Sequence, residues 1–125
     1  MRSTVVPFRN GIMLSIACGY AESIGAESVL IGNHAGDHTI YPDCRAPFIK
    51  HMSIAMHEGT YKHITIDAPY TLIDKREVGL IGHKLGVDFK KTWTCYKGGE
   101  IHCGVCGSCD ERKFALEGFD DTVYL

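Results

Sequence analysis

The chain has 125 residues, of which 45% are hydrophobic and 22% charged, and its formal net charge is −2. This composition predicts one small soluble domain with a modest core, and it excludes a disordered chain. Because the charges of both signs are interspersed, it also excludes a basic surface for direct nucleic-acid binding. No apolar run has the length of a membrane span.

The first half of the chain predicts helix, strand and helix. Apolar residues recur at helical spacing from Asn10 to Gly25, which predicts a largely buried helix that Asn10 caps and Gly25 ends. The apolar run 28–32 predicts a strand covered on both faces. Asp43 is expected to cap a second helix, which ends at about Glu58.

The second half continues the alternation. Residues 63–67 predict another buried strand, and residues 74–85 predict a third helix with Gly86 as its stop. Its apolar residues Val78, Leu80, Ile81 and Leu85 are expected to face inward. A last helix is expected over residues 110–117. Helices that alternate with strands are typical of a parallel α/β sheet.

Parallel sheets bind ligands at the carboxyl ends of their strands. The loop from Gly32 to Arg45 follows the first predicted strand and is dense in polar side chains, so it is the candidate site. Cys44 in this loop has two interpretations. It is a nucleophile whose pKa is lowered by Arg45, or it is a buried packing residue, and the second is favoured because no partner base is identifiable.

Four cysteines near the C-terminus have the spacing of a closed metal site: Cys95, Cys103, Cys106 and Cys109. Gly104 and Gly107 between the last three allow the backbone to curl, and four thiolates around Zn²⁺ form a structural site. Disulfides and an iron–sulfur cluster are the alternatives. No signal peptide is evident, which favours a reducing cytoplasm, and the lone cysteine precedes the triplet, unlike the ferredoxin pattern.

Several motifs together resemble the 7-cyano-7-deazaguanine synthases of queuosine precursor biosynthesis. They are Pro7-Phe8-Arg9-Asn10, Gly32-x-His34-x-x-Asp37, Tyr41-Pro42-Asp43-Cys44-Arg45, Leu85-Gly86-Val87-Asp88, Thr92-Trp93-Thr94-Cys95-Tyr96 and Cys103-Gly104-x-Cys106-x-x-Cys109-x-x-Arg112. The resemblance covers nearly the whole chain. It implies an adenine-nucleotide alpha-hydrolase-like, Rossmann-like fold, of which residues 1–90 supply a partial parallel sheet and residues 91–125 a zinc-stapled helical lobe.

The resemblance also implies a reaction. Enzymes of this family adenylate 7-carboxy-7-deazaguanine with ATP and Mg²⁺, form the amide with ammonia, and use further ATP to dehydrate the amide to the nitrile. A carboxylate, an aromatic surface and a guanidinium suit the edge, ring and carboxylate of a deazaguanine. The expected substrate-binding residues are Asp37, Tyr41, Asp43 and Arg45, and the residues expected near the nucleotide are Arg9, Asn10 and Gly32.

One family motif has no counterpart in this sequence. Members carry a Ser-Gly-Gly-x-Asp-Ser loop whose main-chain N–H groups hold pyrophosphate, and the pair Gly98-Gly99 does not replace it. We therefore expect ATP-dependent activity to require an N-terminal partner chain, and we expect a cytoplasmic homo-oligomer. The alternative function is a non-catalytic, zinc-stapled module that binds a deazapurine or a partner protein.

Overall fold

The computed structural model describes residues 5–125. The chain divides into two compact units, Met1–Ile73 and Asp74–Leu125. The division that the sequence predicts near residue 90 stays a prediction. Among the described residues, no helix is both long enough and apolar enough to cross a membrane.

The first unit is an α/β layer. Its helices are α1 (Arg9–Ile24) and α2 (Ala46–Glu58), and its strands are β1 (Ser28–Leu30) and β2 (Thr65–Asp67). The strands pair in parallel, with Ser28 opposite Thr65 and Leu30 opposite Asp67. The predicted α/β class and parallel pairing are confirmed, in a sheet that has two strands within the described part of the chain.

The core of this unit lies between the two helices and the sheet. Its buried residues are Leu14, Cys18 and Ala21 from α1, Ile49 and Met56 from α2, and Ile64 before β2. Burial of apolar side chains is the main source of stability in such a layer.

Burial of α1 differs from the prediction. The helix presents a second apolar face, on which Ile12, Ile16, Tyr20 and Ile24 are 52%, 70%, 66% and 60% exposed. The prediction of a largely buried α1 is therefore wrong for the described residues. The helix has apolar residues on all of its sides, but the sheet and α2 cover only one side.

The predicted helix caps are also corrected. Asn10 lies inside α1, whose N-cap is Phe8 with a φ of 58° and no capping bond from its own side chain. The N-cap of α2 is Arg45, so Asp43 does not cap α2 either. Instead, Oδ2 of Asp43 accepts the main-chain N–H of Asn10 in the first turn of α1, and the carboxamide of Asn10 donates to the carbonyl of Asp43. At the other end of α1, Gly25 adopts the left-handed conformation that the sequence predicts.

The second unit contains α3 (Lys75–Lys84) and α4 (Gly107–Ala115). Asp74 and Glu77 form a reciprocal capping box at the start of α3. Gly79 lies directly against the carbonyl group of Ala115, so α3 and α4 approach closely at a position where only glycine fits. Leu80 and Leu85 are exposed rather than inward-facing.

Candidate metal centre and substrate loop

The four C-terminal cysteines converge in the second unit. One sulfur from each of Cys95, Cys103, Cys106 and Cys109 lies within 4.8 Å of the others. The Sγ atoms of Cys103 and Cys109 are 3.9 Å apart, and those of Cys106 and Cys109 are 3.5 Å apart. Four sulfurs at about 2.3 Å from one zinc ion would be about 3.8 Å from each other, so the cluster fits a tetrahedral ion.

Local structure brings these sulfurs together. Cys106 is the N-cap of α4, which places Cys109 in the first helical turn. Gly104 has a φ of 70°, and this left-handed turn lets the chain curl between Cys103 and Cys106. All six cysteines of the chain are free thiols, so the disulfide alternative is not seen.

The main chain around the cluster favours thiolates. The N–H group of Cys103 donates to Sγ of Cys95 at 3.5 Å, and such donation lowers the pKa of Cys95. Main-chain N–H groups of Tyr96 and Cys109 lower the pKa of Cys106 to about 6. Burial raises the pKa of Cys109 to about 11. A cation among the four sulfurs would favour the thiolate form at every one of them.

His102 lies beside the cluster without belonging to it. Its Nε2 atom accepts the N–H of Thr94 at 3.3 Å, and its ring lies 4.2 Å from the ring of Trp93. Burial, with a contribution from Arg112, lowers the pKa of His102, which suits a neutral acceptor. Trp93 donates from Nε1 to the carbonyl of Cys95 at 2.9 Å. The rings of Trp93 and His102 therefore pack against the cysteine loop.

Two basic residues of α4 form hydrogen bonds that hold the cysteine loop in place. The buried Arg112 donates to Thr122 at 2.8 Å, to Thr94 at 3.0 Å and to the carbonyl of Phe89 at 2.7 Å. Lys113 donates to the carbonyl of Gly104 at 2.7 Å. Arg112 belongs to the last cysteine motif, but the sequence does not indicate its role, because its three partners are distant in the chain.

In the first unit, the loop from Gly32 to Arg45 follows β1 and contains two short 3₁₀ turns, Ala35–Asp37 and Pro42–Cys44. Buried Asn33 holds it in place, donating from Nδ2 to the carbonyl of Cys44 at 2.8 Å and to Thr71 at 3.1 Å. The sequence gives no signal for Asn33 and Thr71, since only the folded chain brings residues 33, 44 and 71 together.

The start of α1 contacts this loop. The main-chain N–H of Asn10 donates to Oδ2 of Asp43 at 2.8 Å, and the carboxamide of Asn10 donates to the carbonyl of Asp43 at 3.2 Å. The same carboxamide lies 3.3 Å from Sγ of Cys44. Thus Asn10, which is expected near the nucleotide, and Asp43, which is expected at the substrate, lie together, with Cys44 beside them. Gly32 and Arg9 are exposed at the ends of β1 and α1.

The remaining predicted substrate residues are Asp37, Tyr41 and Arg45, and Arg45 is the last residue of the loop. Exposed Arg45 donates from Nε to the carbonyl of His38 at 2.7 Å. The carboxylate of Asp37 is 3.3 Å from Nε2 of His34. Half-buried Tyr41 donates its main-chain N–H to the carbonyl of Asp37 at 2.9 Å.

Cys44 lies in surroundings that disfavour a thiolate. Its side chain is buried, and burial together with the charges of Asp37 and Asp43 raises the pKa of Cys44 above the ordinary value of 9.0. The donor from Asn10 and the positive charge of Arg9 act in the opposite direction and are outweighed. These surroundings are typical of a packing cysteine rather than a nucleophile.

An open groove of about 560 Å³ adjoins the loop in the first unit. Side chains of α2 and of the segment after β2 line it, and Thr71 belongs both to this lining and to the Asn33 contact. Ser53 of α2 accepts the N–H of Ile66 at 3.0 Å, so α2 provides a hydrogen-bond partner on the outer edge of β2.

Comparison with known proteins gives one family. The sequence pattern of the family described as "Queuosine biosynthesis protein QueC" matches residues 1–120. A protein of Desulfotalea psychrophila named 7-cyano-7-deazaguanine synthase is 59% identical over 128 residues, which cover 100% of this chain and 58% of that protein. A protein of the same name from Porphyromonas gingivalis is 60% identical over 116 residues, covering 93% of this chain and 53% of that protein.

A third relative agrees. The protein named 7-cyano-7-deazaguanine synthase 1 in Colwellia psychrerythraea is 50% identical over 122 residues, covering 98% of this chain and 55% of that protein. The chain thus spans about half the length of the curated relatives it matches, in their C-terminal part. The resemblance found in the sequence motifs is confirmed, and the chain belongs to the QueC family of queuosine biosynthesis proteins.

Proposed function

We propose that this chain supplies the substrate-binding part of a 7-cyano-7-deazaguanine synthase. The observation that carries the proposal is the identity of 59% with a protein of that name over the whole chain. The reaction would convert 7-carboxy-7-deazaguanine, ammonia and ATP with Mg²⁺ into 7-cyano-7-deazaguanine. ATP would activate the carboxylate as an adenylate, ammonia would displace AMP to form the amide, and further ATP would drive dehydration to the nitrile.

The loop from Gly32 to Arg45 is the proposed site for the deazaguanine. Arg45 would pair with the substrate carboxylate or with the phosphate of its adenylate, since a guanidinium can form bidentate hydrogen bonds with either group. The bond from its Nε to the carbonyl of His38 restricts the side chain while leaving it exposed to a ligand. Tyr41 would offer its ring to the base.

Acidic residues of the loop have a proposed supporting role. Asp37 and Asp43 would provide negative charge toward the N–H donors of the deazaguanine edge. Arg9, Asn10 and Gly32 would lie near the nucleotide. In support of this, the bonds from Asn10 to Asp43 bring the start of α1 beside the loop.

The cysteine cluster is the proposed structural zinc site, with Cys95, Cys103, Cys106 and Cys109 as ligands. Four sulfurs would leave no open position on the ion, so the metal would hold the segment around Cys95 onto α4 rather than take part in the reaction. Free thiols at all four positions suit a reducing cytoplasm, in which we place the protein.

We also propose that an additional α/β segment, equivalent to the part of the relatives outside the match, covers the exposed face of α1. Ile12, Ile16, Tyr20 and Ile24 form an apolar stripe on that face, and all are more than half exposed. β1 pairs on one side only within residues 5–125, whereas the outer edge of β2 has a hydrogen-bond partner in Ser53 of α2. A further strand beside β1 would extend the sheet toward an adenine-nucleotide alpha-hydrolase-like fold, and would bring the pyrophosphate loop.

Binding of the substrate tests the proposal directly. Calorimetric titration of the chain with 7-carboxy-7-deazaguanine should give a saturable site. Arg45→Ala and Asp43→Ala should weaken it about ten- to a hundredfold, the value of a charge-assisted contact. The exposed residue Glu58 of α2 provides a control, since Glu58→Ala should bind like the wild type. Unchanged affinity in both site variants would move the site elsewhere.

An activity assay tests whether the chain is part of a functional synthase. The chain should form the nitrile from 7-carboxy-7-deazaguanine, ammonia and ATP only when a polypeptide carrying the Ser-Gly-Gly-x-Asp-Ser loop is added, because positioning of the phosphates dominates such chemistry. Mass spectrometry of the product distinguishes the outcomes. Substrate binding without turnover in the complete mixture would favour the non-catalytic binding module.

A further inference from the structure

Residues 120–125 form a strap that folds back onto the cysteine cluster of the second unit. Tyr124 in this strap packs against the buried cysteines of the cluster. It also pairs with His102 in an isolated parallel β-bridge, where the N–H of Leu125 donates to the carbonyl of His102 at 2.9 Å. The strap therefore contacts the cluster through a side chain, and its main chain is bonded to the residue before Cys103.

Side-chain hydrogen bonds hold the strap to α4 and restrain its own turn. Nε of the buried Arg112 donates to the hydroxyl of Thr122 at 2.8 Å. The hydroxyl of Tyr124 donates to Oδ2 of Asp120 at 2.7 Å, and Oδ1 of Asp120 accepts the N–H of Thr122 at 3.0 Å. The ring of Tyr124 is thus restrained at its hydroxyl end as well as through its main chain.

The turn that follows Cys103 leaves room for this ring. A Cβ atom at Gly104 would lie 3.3 Å from Cβ of Tyr124 and 3.6 Å from its Cδ1 atom. Nζ of Lys113 lies 4.7 Å from the centre of the Tyr124 ring and donates to the carbonyl of Gly104 at 2.7 Å. The ammonium group is thus bonded to the turn and attracted to the face of the ring. Glycine at this position therefore permits the approach of the strap as well as the left-handed turn.

The four cysteines are not equally exposed. Cys95, Cys103 and Cys109 are 5%, 9% and 0% exposed, whereas Cys106 is half-buried. A chelator that removes a metal from a four-sulfur site has to reach the ion and replace the sulfurs in turn. Because Tyr124 packs against the buried cysteines, access to their sulfurs from that side requires a local opening of the strap.

We propose that the strap controls how fast the zinc ion exchanges, with Tyr124 as the residue that covers the buried cysteines and keeps the turn at Gly104 in place. This inference rests on the proposed zinc site. Groups outside the ligand set that hold the ligands in position commonly change metal binding by about ten- to a hundredfold. The family pattern matches residues 1–120, so membership of the family assigns no role to the ring of Tyr124.

Transfer of zinc to the chromogenic chelator pyridylazoresorcinol tests this role, with the whole chain loaded with zinc at the start. Tyr124→Ala removes the ring and its bond to Asp120, and it should release zinc about ten- to a hundredfold faster than the wild type. Tyr124→Phe keeps the ring and loses only the bond to Asp120, so it should release zinc at nearly the wild-type rate.

A neighbouring position in the strap provides the control. Val123 is 67% exposed, and Val123→Ala should release zinc like the wild type. Equal rates for Tyr124→Ala and Val123→Ala would overturn the inference. A rate for Tyr124→Phe as high as that of Tyr124→Ala would also overturn it, because the bond to Asp120 rather than cover by the ring would then retain the metal.

Hydrogen exchange of the zinc-loaded wild type, followed by NMR, gives a test that does not depend on folding of a variant. The N–H of Leu125 should be protected by its bond to the carbonyl of His102. Urea at concentrations below global unfolding should accelerate exchange of this N–H and transfer of zinc by the same factor, because both require the strap to open. A Leu125 N–H that is unprotected while zinc stays bound would overturn the inference.

The proposed zinc site and the proposed role of the strap fail in different ways. If the purified wild-type chain binds no zinc, the metal site is wrong, and this inference with it. If the wild type binds zinc and Tyr124→Ala releases it at the wild-type rate, only the role of the strap is wrong.

Discussion

The carboxamide of Asn10, near the start of α1, lies 3.3 Å from the sulfur of Cys44, 34 residues away in the chain. It also donates to the carbonyl of Asp43, while Oδ2 of Asp43 accepts the main-chain N–H of Asn10. These reciprocal bonds fasten the helix to the proposed substrate loop. The loop is consequently fixed to the helix at Asp43 and Cys44.

Replacing Asn10 should therefore loosen the first unit. Asn10→Ala removes two partly buried side-chain contacts and should lower the free energy of unfolding by about 1–3 kcal/mol, measured by urea denaturation. Ser23→Ala is the control, because its exposed hydroxyl bonds only to the carbonyl of Tyr20 within the same helix. Equal stability of the two variants would show that the Asn10 contacts contribute nothing.

The cysteine cluster should contain one zinc ion per chain and stabilise the second unit. Cys106→Ser should lower both the zinc content and the melting temperature, because four-sulfur sites bind zinc with on the order of 10 kcal/mol or more. Chelation should increase hydrogen exchange over residues 91–125. Cys18→Ala, in the core of the first unit, should alter stability without changing the zinc content. Iron with acid-labile sulfide in the purified protein would contradict the assignment.

The close approach of α3 and α4 should make Gly79 intolerant of a side chain. Gly79→Ala would push a methyl group into the carbonyl of Ala115 and should destabilise the chain by about 1–3 kcal/mol. Gly19→Ala provides the opposite case, since nothing lies within 4 Å of its Cβ position in α1. That variant should be neutral or more stable by up to about 1 kcal/mol, because alanine favours helix. Thermal denaturation of both compares them directly.

Cys44 should react slowly with alkylating reagents. Burial and the negative charges of Asp37 and Asp43 raise the pKa of Cys44 above 9.0, so the thiolate fraction at pH 8 stays below about one tenth. The rate should rise as the pH increases through 9. Asp37→Asn should increase the rate at pH 8 by removing one of the charges that raise the pKa. Peptide mapping after iodoacetamide treatment measures this, and fast alkylation of the wild type at pH 7 would contradict it.

Local patterns in the sequence were sufficient to predict several features of the structure. Periodicity placed the four helices within a few residues of their observed bounds, Gly25 and Gly86 have the left-handed conformation expected of helix stops, and the spacing of the four cysteines predicted that they converge. These features depend on residues close together in the chain, so propensity and spacing determine them.

Other features depended on contacts between distant segments. Asp43 was expected to cap α2, but in the folded chain the N–H of Asn10 is its partner, and only packing of α1 against the loop brings the two together. The exposed stripe on α1 shows the same limit, since an apolar pattern does not reveal which face the rest of the fold covers.

The sequence by itself thus determined the family, the order of the helices and strands, and the convergence of the four cysteines. Only the tertiary structure decided which polar atoms are paired, because hydrogen bonds formed across the fold join Asp43 to Asn10 and Asn33 to Cys44 and Thr71. The physical reason is that a buried polar group bonds to whichever partner the fold places within reach, and that partner need not be its neighbour in the chain.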